Sequence, residues 1–174
     1  YKSKSKISNF NKILITFISL LFVYLFYLSI PTLYNKSWVQ NTLEYKLVDQ
    51  FKIDFSISSD ISYEILPSPH FKVKNALILN GNDIEPKELA EIKELKVFVS
   101  QKNFFKKENL KITKVSIIDM NFSVQKDDFS FFDNLINNKL TVEKINIKRG
   151  NIFYKDKRNN IVSLIKISRL NIFY

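Results

Sequence analysis

A chain of 174 residues with a formal charge of +10 suits one modest domain plus an appendage. It contains no cysteine, which excludes a disulfide framework, a thiolate nucleophile and a cysteine-ligated zinc site. Of the 27 basic residues only Arg149, Arg158 and Arg169 are arginine, and the lysines alternate with apolar residues along strand-like runs, so a nucleic-acid partner is not expected. An acidic lipid surface matches this charge better. The chain starts at Tyr1 rather than Met and stops at Tyr174 inside a strand-like run, so it reads as a piece of something longer.

Residues 1–12 carry Lys2, Lys4, Lys6 and Lys12 and no acid. Eighteen uncharged residues follow from Ile13 to Ile30, and the gap between Lys12 and Lys36 is 23 residues, about 34 Å of helix. That length crosses a hydrocarbon core of about 30 Å, so residues 13–34 read as a transmembrane segment. The positive-inside rule puts the N-terminus in the cytoplasm and residues 35–174 outside. Tyr24, Tyr27 and Tyr34 lie in the second half, and Tyr34, near Trp38, suits the far interface. A cleaved signal peptide would have a shorter apolar run and an A-x-A-like site, whereas Pro31-Thr32-Leu33-Tyr34 follows here. The segment therefore reads as a signal anchor.

Beyond it, Val39, Leu43 and Leu47 recur at helical spacing with Ser37 as N-cap, which predicts an amphipathic helix over Ser37 to Gln50. That helix lies on the membrane surface or caps the start of a sheet. The period then becomes two. Phe51, Ile53, Phe55 and Ile57 mark a strand, the Ser58-Ser59-Asp60 turn follows, and Ile61, Tyr63 and Ile65 mark the next. Pro67 and Pro69 break it, and Phe71, Val73, Leu77 and Leu79 continue beyond. Asn80-Gly81-Asn82-Asp83 is a turn signal, and Glu85 to Glu94, with Pro86 in its first turn, reads as a short helix.

A spacing of apolar-x-apolar-x-x-apolar-x-apolar recurs at Leu110, Ile112, Val115, Ile117; at Leu140, Val142, Ile145, Ile147; and at Ile165, Ile167, Leu170, Ile172. A weaker copy is Ala90, Ile92, Leu95, Val97. Lys114, Lys144 and Arg169 precede the third apolar position, and Asn121 to Val124 corresponds to Asn151 to Tyr154. The copies are offset by 20, 30 and 25 residues, an irregular repeat. In a flat strand the second and third apolar positions face opposite sides, so a bulge or bend must return them to one face. The expected result is a strongly curved antiparallel sheet with one apolar face. A β-sandwich with similar strands is the alternative.

The order of these elements resembles the N-terminal region of the AsmA-like family, relatives of the TamB-type proteins of Gram-negative envelopes. The resemblance rests on the anchor, the amphipathic helix and Ile61 to Pro67. It continues through Glu88 to Val97, Asn103 to Ile112, Val115 to Ile117, a short helix at Phe129 to Asn137, and Leu140 to Tyr154. The family's frequent Asn-Trp near that helix is here Phe131-Phe132-Asp133-Asn134. The resemblance implies an inner-membrane protein whose periplasmic part is a curled β-sheet with a hydrophobic groove that conducts phospholipid toward the outer membrane. The fold expected is thus membrane-anchored and mainly β (α+β), with the twelve repeat positions above lining the groove.

Nothing in the sequence forms a catalytic constellation. His70 is the only histidine and, between Pro69 and Phe71, reads as a loop residue. Asp127-Asp128 reads as a turn and helix N-cap, not as a metal site, and neither glycine belongs to a phosphate-binding loop. No enzyme activity, metal or cofactor is expected. The expected partners are membrane phospholipids and the inner membrane. The alternative is an envelope scaffold or assembly factor that pairs its sheet edge with outer-membrane or periplasmic proteins.

Overall fold

The computed structural model describes residues 8–51, 54–80, 87–102, 104–106, 108, 110–128 and 144–173. Helix α1 (Asn9–Ser29) leads through a 3-10 turn (Ile30–Leu33) into helix α2 (Lys36–Phe51). From Asn9 to Leu33 the chain is long and apolar enough to cross a membrane, and only 6% of its apolar window is buried against the protein. The cap of α2 is Asn35, whose Oδ1 accepts the Trp38 N–H at 3.1 Å, so the expected Ser37 lies inside the helix. Val39, Leu43, Leu47 and Phe51 are buried along one face, which packs on the sheet rather than on a membrane.

The strands are β1 (Asp54–Ile57), β2 (Ile61–Glu64), β3 (His70–Asn80), β4 (Lys87–Val99), β5 (Ile112–Val124), β6 (Lys144–Lys155) and β7 (Ile161–Phe173). All lie in one sheet in the order β1-β3-β4-β5-β6-β7, with β2 also paired to β3. The described strands thus form no sandwich. Strands β1 and β2 sit end to end along β3, against Ala76 to Leu79 and His70 to Val73 respectively, so they act as one interrupted edge strand.

Two expectations fail. The helix expected over Glu85 to Glu94 is, from Lys87 on, strand, because Ala90, Ile92, Leu95 and Val97 of the weaker repeat copy pair on both sides with β3 and β5; the helix-favouring Glu and Lys around them are only a weak local preference. The sheet is also mixed, because β5 and β6 are parallel. Residues 125–143 connect them, more than the dozen or so that a parallel crossover needs. The expected helix at Phe129 to Asn137, the repeat positions Leu140 and Val142, Ile53 and the turn residues 81–83 lie outside the described residues.

The registers bring the repeat into a grid. One row across the sheet is Tyr63, Phe71, Val97, Val115, Ile145, Ile172, and the next is Ile61, Val73, Leu95, Ile117, Ile147, Leu170. Then come Ile57, Ala76, Ile92, Met120, Gly150, Ile167, and finally Phe55, Ile78, Ala90, Phe122, Ile152, Ile165. The offset of 30 between two copies is itself the parallel register, since Val115 faces Ile145 and Phe122 faces Ile152.

The phase change needed between the second and third rows does not come from bulges. Register shifts fall elsewhere, at Ile78/Leu79, Phe98/Val99 and Tyr154/Lys155. Instead Asn75, Asp119 and Arg149 adopt left-handed backbone, with φ of 58°, 55° and 54°. Their register positions form a row with Lys93 and Ser168 across the sheet. A single left-handed residue turns the following side chains to the other face, so buried positions run Phe71, Val73, Ala76, Ile78 and not Leu77, Leu79. The Ser58–Asp60 interruption lies on the same line, with Ser58 N–H donating to the Asn75 carbonyl at 3.2 Å and Lys74 N–H to that of Asp60 at 3.1 Å.

Asparagine tolerates this conformation, whereas a β-branched residue there is strained by about 1–2 kcal/mol. Asn75→Val should therefore lower the unfolding free energy of the detergent-solubilised chain, taken from urea denaturation, by that much, while Asn75→Gly should leave it unchanged or raise it.

Candidate functional site

One helix is too small for the apolar grid. Six strands about 4.8 Å apart span about 24 Å, and a helix is about 10 Å wide. The β3–β5 part of the grid is buried with α2, the turn residue Phe104 and Leu110 in one core. Cover then thins. Ile147, Ile152, Ile167 and Ile172 are half-buried, and Ile165 and Leu170 on the edge strand are 57% and 40% exposed.

This divides the predicted groove residues. Leu110, Ile112, Val115, Ile117 and Ile145 are core, so they line no open wall in this structure. Ile147, Ile165, Ile167, Leu170 and Ile172 share the open part of the same face, joined by Ile152, which the repeat reading left out. Ile152 is the fourth position of a β6 copy that starts at Ile145, five residues beyond the copy read from the sequence. Gly150 holds the third place of that copy, and an added Cβ there would meet Ile147 at 3.4 Å and Met120 and Ile167 at 3.7 Å.

The C-terminal half of α1 is fixed to one end of the sheet. Tyr24 and Tyr27 hydroxyls donate to Gln101 at 3.0 and 2.6 Å, and the Tyr27 oxygen accepts the Phe104 N–H at 3.3 Å. Tyr34 donates to the Phe104 carbonyl, and Tyr63 donates to that of Leu28 at 2.9 Å. Tyr27 also stacks on Phe104, with ring centres 5.5 Å apart. Tyr34, expected at the far interface, is thus, with Tyr24 and Tyr27, part of the joint between helix and sheet.

The opposite face of the sheet at that same end carries a cavity of about 350 Å³ lined by Pro67, Phe98, Ser116, Asn146 and Asn171 and by several cations. Lys114, Lys144 and Arg169, the cations that precede the third apolar position of the repeat, all line it, away from the apolar face. Burial, and then the charges of Lys144 and Lys148, hold the Lys114 ammonium below its usual pKa. His70 lines the cavity too. It begins β3 rather than lying in a loop, is fully buried, and stacks on Phe98 with ring centres 4.8 Å apart. Its Nδ1 meets the Ser68 carbonyl at 2.8 Å, and Nε2 lies 3.2 Å from Glu64 Oε2 without a well-aligned hydrogen bond.

Asp128 has a structural partner: its carboxylate accepts the Lys87 ammonium at 2.9 Å and the Gln125 N–H at 2.8 Å. Among the described residues no group of three His, Cys, Asp or Glu side chains is placed to hold a metal ion. No family model matches the chain, and no curated protein matches it.

A hydrogen bond from Lys72 holds the Glu64 carboxyl below its ordinary value; burial opposes this, and nearby positive charge, that of Lys72 first, adds to it. The stability this confers is present above the unfolded carboxyl pKa and is lost as pH falls through the depressed folded one. The wild type's advantage over Glu64→Gln in urea unfolding should be full above about pH 5 and shrink toward zero with acidification.

Proposed function

We propose that the chain is a membrane-anchored lipid-binding protein of the AsmA-like kind, which holds acyl chains against its open apolar face and serves phospholipid transport between envelope membranes. One observation carries this reading: the four apolar rows run past their cover to an edge strand whose Ile165 and Leu170 stand open, in a chain whose first helix is fit to span a membrane. Apolar area exposed to water costs about 25 cal/mol per Å² relative to burial, so a contiguous uncovered face favours an apolar partner. Acyl chains are the partner that a spanning helix puts within reach. A second reading rests on the same strand. Among the described residues the outer edge of β7 pairs with no other strand along its 13 residues, and such an edge accepts strands from other proteins.

A photo-crosslinking side chain separates the two. Placed at Ile165 or Leu170 it should capture phospholipid in cells, whereas at Lys166, on the other face, it should capture little. Equal capture from both faces removes the lipid reading, and protein adducts in place of lipid establish the scaffold.

The anchoring itself has the N-terminus in the cytoplasm and the sheet in the periplasm, on the asymmetry of Lys2, Lys4, Lys6 and Lys12. A reporter active only outside the cytoplasm should work when fused after Asn80 and fail when fused at Asn9. Leu21→Asp with Phe22→Asp, each costing roughly 2.5–3.5 kcal/mol of insertion at the bilayer centre, should release the protein from membranes or lead to its degradation.

A further inference from the structure

Several cations of this sheet have a carboxylate partner. Lys74 lies directly opposite Glu94, Arg149 grips Asp119 at 2.6 and 2.9 Å, and Lys87 meets Asp128. Where Lys72 faces Lys96, each has its own carboxylate, Glu64 at 2.5 Å and Glu94 at 3.4 Å. The cavity on the polar face breaks this habit. Lys114 lies directly opposite Lys144, and Lys148 directly opposite Arg169. Among the described residues no carboxylate is within ion-pair distance of any of the four.

Like charges directly opposite across strands are destabilising. Two such pairs, converging on one concavity, keep a cost that a single Glu on either strand would remove. Aromatic rings support two of the cations instead, with Lys114 Nζ 4.4 Å from the Phe98 centre and Lys144 Nζ 4.5 Å from that of Phe173. Between the two charged rows runs Ser116, Asn146, Asn171, in which Ser116 donates to Asn146 at 3.4 Å and Asn146 donates to Asn171. That arrangement leaves the amide hydrogens of Asn171 for a ligand.

We propose that this basin is a phosphate-binding site, and that the phosphate it takes belongs to the headgroup of an anionic phospholipid. A tetrahedral anion with several acceptor oxygens fits four converging cations and an amide donor better than a planar carboxylate does. The source follows from place. The basin lies where β3 and β6 begin and β4 and β7 end, and at that end Gln101 and Phe104 bind Tyr24, Tyr27 and Tyr34 of the apolar helix and the segment after it. Next in sequence to Tyr34, Pro67 and Phe104, the apolar side chains of Leu33, Leu66 and Phe105 are exposed. This assignment of the source rests on the membrane-anchored reading above; the phosphate site does not.

The full chain in a neutral detergent is titrated calorimetrically with glycerol 3-phosphate and, separately, with dihexanoyl phosphatidylglycerol. Both should bind, the lipid more tightly. Lys144→Gln with Lys148→Gln should weaken both by about tenfold or more, the scale of losing charge-assisted hydrogen bonds. Lys157→Gln with Lys166→Gln removes the same charge outside the basin and should change neither. Absence of binding by either ligand, or equal weakening by the two double variants, overturns the site. Glycerol 3-phosphate binding as tightly as the lipid overturns the lipid source alone. Urea midpoints for the basin variant at or above wild type establish that its loss of binding is not unfolding. Carbonate washing of native membranes tests the anchor independently: wild-type chain lost to the wash defeats the anchored reading, whatever the titrations give.

Discussion

One backbone event holds the sheet together as an amphipathic object. Across the row Asn75, Lys93, Asp119, Arg149, Ser168 the side-chain phase reverses, and three of the five residues do so in left-handed backbone. Without the reversal, each long strand would put two of its apolar residues on each face, and neither face would be separable from water. The row is also where the edge strand breaks into β1 and β2. The residues on it suit the task unequally. Asn and Asp adopt this conformation at low cost, while Arg149 does so at a cost that its paired hydrogen bonds to Asp119 help to offset.

From that separation the two faces take opposite properties. The apolar side gathers α2, the turn after β4 and the grid into one core that is dense at β3–β5 and opens at β6 and β7. The polar side gathers lysine, serine and asparagine ladders, including Asn151 donating to Asn121 at 2.9 Å across the parallel pair. Function on either side is then a matter of which rows remain without a partner. On the apolar side these are the last two strands; on the polar side they are the four cations near the helix joint.

Much of this was legible in the amino-acid order. The span from Ile13, the helix through Val39, Leu43 and Leu47, and the short strands around Phe55 and Tyr63 follow directly from periodicity. The repeat was legible too, but not its frame. The spacing of two, three and two continues without a stop from Leu110 to Phe122, so Val115 to Phe122 is as good a copy as Leu110 to Ile117. Only pairing with Val97 to Ala90 selects the former. The β3 copy at Phe71, Val73, Ala76 and Ile78 was hidden by the larger Leu77 and Leu79 beside it. Strand β4 was half legible, since its weaker repeat copy from Ala90 to Val97 competed with a helix suggested by Glu and Lys, and the parallel pair was hidden by the absence of any local signal for strand direction. The basin was invisible because its cations are spread over three strands and meet only through register.

The spacing of two, three and two has a property that composition does not reveal: it reads the same from either end. A strand carrying it matches its neighbour row for row whether it runs with that neighbour or against it, as β5 does with β6 in one sense and with β4 in the other. Most sheets are built from hairpins whose direction is dictated by their turns. Here strand polarity is a free variable, and the lattice of side chains is indifferent to it. A tight turn then adds an antiparallel strand and a connection of a dozen or more residues adds a parallel one, and the side-chain rows match in either case.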